Sequence, residues 1–394
     1  MSTTCNTPVS LYNSNRIDFS SEKLFFGSGK NSQRFDVLKY PVLDKSNDKQ
    51  QGFDWKHDEI PLIKDSKDHK TRAVSAQKFV VKRTFQKLIF LDSVQGRGPV
   101  SIFGQIATLP ELENVILTWT YFEGAKHSRT YTEILRALYS EPDVVFDEAF
   151  EVQELQEVAN KISSVYEKSY QSVIEYIYKT QRGIEFTDED LHELKKDILR
   201  CLFEINALEG VRFYSSFAAI WAMHKSQDLY PGCSEDLQFI ARDENEHLAL
   251  TQNLLKFLRK NEDEEFIEAY EEIKDELEAR YYEIYFEEVD WIKFLFSEGS
   301  YIGMNEDILT NYLNYITIRR MKSLGINPTK ERLGGKYITK NPLPWIETYI
   351  NMDKEEKLPQ EEKILNYVTG GVEQDDDICD STKDMLNKMY GKTA

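Results

Sequence analysis

The chain of 394 residues has no apolar run near the roughly 18–20 residues that a membrane helix needs, so no membrane span is expected. Its first ten residues, MSTTCNTPVS, have neither a basic start nor an apolar stretch, and no secretion signal is expected there. Only four cysteines occur, at Cys5, Cys201, Cys233 and Cys379, and no two form a C-x-x-C pair. They read as free thiols of a reducing cytoplasm rather than as a disulfide frame or a zinc site. Positive charge is scarce: 49 Lys and Arg against 68 Asp and Glu leave a net charge of −19. Such a surface repels phosphate backbones and anionic lipid, which argues against nucleic-acid and membrane partners. Neither a P-loop nor a G-x-G-x-x-G is present, and no run alternates with the period of two expected of strands. With 11 prolines and 18 glycines, punctuation is sparse and long helices are expected.

The regions that remain fall into three. Residues 1–75 carry turn clusters and aromatic anchors (Phe25, Phe26, Tyr40, Phe53, Trp55) and read as an irregular arm lying on a body, with few helix signals. Residues 76–350 carry the 3.6-residue period of amphipathic helices. Helices are predicted over about 76–96, 109–139, 144–180, 187–225, 233–259, 262–300 and 304–323. The first is expected to stop at Gly96-Arg97-Gly98-Pro99, and the second to open at Leu109-Pro110. N-caps are expected at Asp188–Leu191 and at Cys233–Asp236. Residues 351–394 are polar and end in acidic runs such as Glu373–Asp377. They are expected to be a flexible tail, either inert or folding onto a partner.

The chemistry concentrates in a few buried-looking polar positions. Glu244 and His247 are three apart, which on a helix leaves them about 60° apart on one face. A carboxylate and an imidazole placed so can meet one metal ion, and iron or manganese accepts that ligand mix. One E-x-x-H in an acidic helical protein is a weak signal. A second pair, Glu123 and His127, strengthens it: the two pairs together hold two of only six histidines. Two lone carboxylates, Asp92 and Glu209, sit among apolar neighbours on two further helices. Each either pairs with a nearby arginine (Arg97, Arg212) or binds metal, because a bare buried carboxylate is costly. A lone acid on each of two helices plus a Glu/His pair on each of two others is the ligand set of carboxylate-bridged dimetal bundles.

The segments Leu91-Asp-Ser-Val-Gln-Gly-Arg, His127-Ser-Arg-Thr-Tyr131, Glu209-Gly-Val-Arg-Phe-Tyr and Ala241-Arg-Asp-Glu-x-x-His247 resemble the small subunit of class I ribonucleotide reductase. So do Leu24-Phe-Phe-Gly-Ser, Lys39-Tyr-Pro-Val and Phe53-Asp-Trp55 in the arm, Asn341-Pro-Leu-Pro-Trp345-Ile at the end of the body, and Asn366-Tyr367-Val-Thr-Gly-Gly in the tail. The matching blocks run in the family's order from about 24 to 371. The resemblance implies an all-α, ferritin-like bundle, a homodimer, and two metal ions per chain, iron with manganese as the alternative. It implies one site at Asp92, Glu123 and His127 and another at Glu209, Glu244 and His247. It further implies that dioxygen oxidises Tyr131 to a stored radical, screened by Phe213, Phe217 and Ile240. Trp55, Asp243 and Tyr367 would then relay that radical to a large subunit, which reduces ribonucleotides. A stand-alone dimetal oxidase and a non-catalytic binder of the large subunit are the competing readings.

One departure stands out. The family's first pair is E-x-x-H, whereas Glu123-Gly-Ala-Lys-His127 has one residue more. In a straight helix that residue would turn everything before it by about 100° relative to everything after. A π-bulge at Gly124-Ala125 would absorb it, and glycine would ease the backbone. Otherwise Glu123 is displaced and the metal preference altered, or the site is degraded.

Overall fold

The computed structural model describes residues 10–350. Among them there is no β-strand beyond isolated bridges, and the architecture is all-α. The helices are α1 (Pro41–Gly52), α2 (Ile63–Thr71), α3 (Ser75–Gln95), α4 (Gly98–Ile106), α5 (Pro110–Tyr121), α6 (Ser128–Leu138) and α7 (Pro142–Ala149). There follow α8 (Gln153–Arg182), α9 (Asp188–Ala207), α10 (Phe213–Gln227), α11 (Pro231–Lys260), α12 (Ile267–Leu295), α13 (Glu306–Ser323) and a single turn, α14 (Glu347–Ile350). Two π-turns interrupt long helices: Phe122–His127 joins α5 to α6, and Leu208–Arg212 joins α9 to α10. The inner bundle is α3, α5–α6, α9–α10 and α11. Helix α3 packs on α6 and α10, α11 packs on α9 and α10, and α8, α12 and α13 lie against this core.

Residues 10–75 are less irregular than the sequence suggests, because they contain α1 and α2. Both escape a hydrophobic-period reading for the same reason: their inward stripes are polar. Helix α1 buries Asn47 and Gln50 beside Leu43, and α2 buries Asp65, Asp68 and His69. The strand-like stretch before them is strapped to the body. Leu24 N–H donates to Glu264 Oε2 at 2.7 Å, Phe26 N–H donates to the Ile106 carbonyl at 3.2 Å, and Leu24 O accepts from Thr108 N–H at 3.1 Å.

Several element ends also differ from expectation. Gly98-Pro99 opens α4 as well as closing what precedes it, since proline at the first turn of a helix has no N–H to leave unpaired. The 144–180 stretch breaks between α7 and α8. The stretch expected from 262 begins its long helix only at Ile267, after Glu265 takes a left-handed φ of 60°. The cap of α9 is Thr187 rather than Asp188: its Oγ1 accepts from Asp190 N–H at 3.1 Å, and Asp190 Oδ2 accepts from Thr187 N–H at 3.0 Å. Helix α11 starts at Pro231, not at Cys233, and its cap is borrowed. The Asp65 carboxylate on α2 accepts from the N–H groups of Gly232 (3.0 Å) and Cys233 (2.8 Å).

Candidate metal centre

Six side chains converge inside the bundle: Asp92 from α3, Glu123 and His127 from the first π-turn, Glu209 from the second, and Glu244 and His247 from α11. All six are buried. Asp92, Glu123, His127 and Glu244 each offer a ligand atom within 4.8 Å of the others, and so do Glu123, Glu209, Glu244 and His247. Two residues, Glu123 and Glu244, belong to both groups. The geometry is thus two overlapping cradles with a pair of carboxylates between them, the pattern needed to hold two cations side by side.

The imidazoles aim at that shared pair. His127 Nδ1 lies 3.4 Å from Glu123 Oε2 and 3.2 Å from Glu244 Oε1. His247 Nδ1 lies 2.8 Å from Glu123 Oε1 and 3.4 Å from Glu244 Oε2. Neither lone acid is neutralised by the arginine near it in sequence. Arg97 donates to the Ser93 carbonyl, and Arg212 pairs with Glu204, Glu287 and Glu288. Both oxygens of Asp92 and Glu209 Oε2 are buried without a hydrogen-bond partner, and the oxygens of Glu123 and Glu244 Oε1 face only the two imidazoles. Orphaned acceptors at this density are costly unless a cation completes them, so the residues present fit a dimetal group.

The π-turn at Phe122–His127 takes up the extra residue and keeps both Glu123 and His127 facing inward. The glycine requirement falls elsewhere than expected. A Cβ on Gly96 would lie 2.8 Å from Gly124 Cα and 3.0 Å from Gly124 N, whereas a Cβ on Gly124 would meet nothing nearer than 3.6 Å. The end of α3 and the widened turn touch backbone to backbone, and Gly96 is what lets them.

Electrostatics follow from burial of like charges. Burial, then the Glu123 charge, pushes the Asp92 carboxyl well above the usual range, and burial does the same to Glu209. Burial works against the Glu123 charge too, yet His247 and His127 hold that carboxyl low. Burial opposes the His247 charge as well, but Glu123 and Glu244 bring the imidazole up to about 10. The raised His247 imidazole and the raised carboxyls of Asp92 and Glu209 favour bound protons, which an incoming cation would have to displace.

The outer contacts order the inner ones. Asp243 Oδ2 accepts from Trp55 Nε1 at 2.7 Å and lies 3.2 Å from His127 Nε2. Trp55, Asp243 and His127 thus form one continuous chain, with the Trp55 and His127 rings 6.3 Å apart. Gln95 Nε2 (2.7 Å) and Trp119 Nε1 (3.0 Å) both donate to Glu209 Oε1, and Tyr166 Oη donates to Gln95. Gln50 Nε2 meets His247 Nε2. Gln50, Gln95 and Tyr166 were missed from sequence. Gln95 had a readable signal, three residues after Asp92 on the same helix face, but Gln50 and Tyr166 arrive from α1 and α8 with none.

Tyr131 is wholly buried, with no hydrogen-bond partner at its hydroxyl. Burial, then the Asp92 charge, pushes the phenol well above its usual range. Phe213, Phe217 and Ile240 are all buried in the same core, but the ring recorded against Tyr131 is Phe85, at 6.0 Å. Tyr367 lies outside the described residues.

The sequence profile of the family "Ribonucleotide reductase, small chain" matches residues 34–330. The chain belongs to the ribonucleotide reductase small-chain family. It is 35% identical over 377 residues to ribonucleoside-diphosphate reductase 1 subunit beta of Escherichia coli O157:H7, covering 94% of this chain and 97% of that one. To the subunit beta of Enterobacteria phage T4 it is 32% identical over 384 residues, covering 93% and 96%. The R2 subunit of Clostridium botulinum ribonucleotide reductase shares the fold at a TM-score of 0.71 and 23% identity, over 84% of this chain and 94% of that one. The helical bundle of this small-chain member and its clustered acids and histidines agree with that membership, and no helix among the described residues is long and apolar enough to cross a membrane.

Proposed function

We propose that this chain is the radical-generating small subunit of a class I ribonucleoside-diphosphate reductase, holding two irons, with manganese as the alternative. The observation that carries the reading is the pair of overlapping cradles, with their orphaned carboxylate oxygens, beside a buried and unbonded Tyr131. Asp92, Glu123 and His127 would hold one ion and Glu209, Glu244 and His247 the other, with Glu123 and Glu244 placed to reach both. When bound, the two metals supply the electrons that turn dioxygen into an oxidant strong enough for a phenol.

The chain's own residues would do the rest. Tyr131 would give up an electron to that oxidant and its phenolic proton to a base in the centre, the Asp92 carboxylate being the charge that acts on it most. Dry aromatic and aliphatic walls, Phe85 among them, keep water and reductants from the oxidised ring. Asp243 holds His127 by Nε2 and Trp55 by its indole N–H, so a hole and a proton can move between centre and arm along one chain of hydrogen bonds. Tyr367 in the tail would continue that path to a large subunit, which would bind and reduce the ribonucleotide. A homodimer and a cytoplasmic setting belong to the same reading.

The test is an electron paramagnetic resonance spectrum of protein loaded anaerobically with iron(II) and then exposed to oxygen, with metal counted on the same sample. A tyrosyl signal at about two irons per chain, lost in Tyr131→Phe, is the expected result. Full occupancy without any radical would point to another metal pair or to a stand-alone oxidase. An empty or half-filled site would overturn the reading.

A further inference from the structure

Lys126 is one of the three residues that separate Glu123 from His127, where the family's pattern has two. A lysine normally keeps its ammonium in water and lays only its stem on the protein. This one is 4% exposed and points inward. Its ammonium donates to the Trp55 carbonyl and pairs with Asp54 Oδ1 at 2.5 Å. It also stands over the Trp55 ring, 5.7 Å from the centroid, and within 5.0 and 5.2 Å of the Tyr121 and Phe122 rings. The indole of Trp55 therefore has a carboxylate at its N–H and a cation over its ring, and it is itself buried.

From this juxtaposition we infer that Lys126 is a positioning residue that ties electron loss from Trp55 to proton loss toward Asp243. The inference rests on the reading of Trp55 as a relay. A cation over a neutral ring is attracted by its π face. Remove one electron and the ring is positive, so the same cation repels it, with Asp54 offsetting part of that repulsion. A neutral indolyl radical escapes that repulsion. In the step, one electron leaves Trp55 for a one-electron oxidant and the Nε1–H bond breaks. The proton passes to Asp243 Oδ2, leaving a neutral radical and a neutral carboxylic acid. Return of the electron sends the proton back. Lys126 thus disfavours the charged route and leaves the proton-coupled one.

The experiment uses the full, metal-free chain with a ruthenium polypyridyl photo-oxidant on Lys56→Cys, with Cys5 and Cys379 replaced by serine. Flash-induced absorption missing from Trp55→Phe is assigned to Trp55, and the indole radical cation absorbs at longer wavelength than the neutral radical. The expected result is a neutral radical with a solvent deuterium isotope effect in the parent and in Lys126→Arg. In Lys126→Met the long-wavelength cation should appear, form about tenfold faster and lose the isotope effect. Asp54→Asn, at an exposed position, removes the counter-charge and should slow oxidation instead. If Lys126→Met does not fold, the oxidation rate in Asp54→Asn decides. A neutral radical with the parent's isotope effect in Lys126→Met, an unchanged rate in Asp54→Asn, or a signal untouched by Trp55→Phe, overturns the inference. No metal or large subunit is involved, so a Lys126 effect in a protein that makes no tyrosyl radical would sink the functional reading alone.

Discussion

At the scale of single residues, the centre depends on atoms that sequence spacing ranks poorly. Gly124 lies inside the π-turn and looks like the residue that permits it, yet the crowded position is Gly96, whose missing Cβ makes room for the Gly124 backbone. Gly96→Ala is therefore expected to push α3 away from the turn and lower metal uptake at the Asp92 cradle. Gly124→Ala should leave it nearly unchanged. Titration with iron(II) or manganese(II), followed by calorimetry or metal counting, separates the two, and equal losses would mean that the backbone contact is unimportant. His69 makes a second residue-scale prediction. Burial, then Lys78 and Lys70, lowers its imidazole to about 4, and its Nδ1 meets Tyr230 Oη at 3.0 Å. The unfolded chain takes that proton near pH 6.5, so between about 6.5 and 4 the unfolded state binds more protons. Stability from this group is full above that window and falls as pH drops through it, by about 1–3 kcal/mol. Chemical denaturation across pH should show the slope, and His69→Gln should flatten it.

Secondary-structure elements show how distant parts of the chain complete one another. Helix α11 carries Glu244 and His247, and its first turn is capped by Asp65, from an α2 that sequence periodicity does not reveal. Two hydrogen bonds from backbone N–H groups to a carboxylate at a helix N-terminus are worth about 1–2 kcal/mol. Asp65→Asn should therefore lower the melting temperature by a few degrees, while Asp68→Asn, whose partners Lys64 and Arg72 lie near the surface, should matter less. The π-turns are the other lesson at this scale. The first could be anticipated, because an inserted residue between two inward-facing side chains has to be absorbed somewhere. The second, at Leu208–Arg212, has no such mark in the sequence, though it carries Glu209 into the cluster.

For the whole molecule, the cost of gathering four carboxylates in a dry core has to be met by something outside the chain. Bound cations stabilise only the folded state, by RT ln(1 + [L]/Kd), or about 3–4 kcal/mol at 100–1,000 times Kd. Adding iron(II) or manganese(II) anaerobically should raise the melting temperature by several degrees, and a chelator should reverse the shift. Because uptake displaces protons from His247 and its neighbours, affinity should rise with pH, with protons released on binding. A melting temperature indifferent to both metals would count against the dimetal reading.

The sequence by itself determined the helical class, the four segments that carry the clustered acids and histidines and their order, and the position of the extra residue between Glu123 and His127. These features are local: a period of 3.6, a pair three or four apart, an acid among apolar neighbours. Only the tertiary structure decided what depends on contacts between remote segments. It made Glu123 and Glu244 common to both cradles, brought Gln50, Gln95 and Tyr166 behind the ligands, and showed α1 and α2 to be helices whose buried stripes are polar. It also turned Lys126 inward over Trp55. Such features leave no period in the chain, because the partner that makes a polar residue worth burying lies tens to hundreds of positions away.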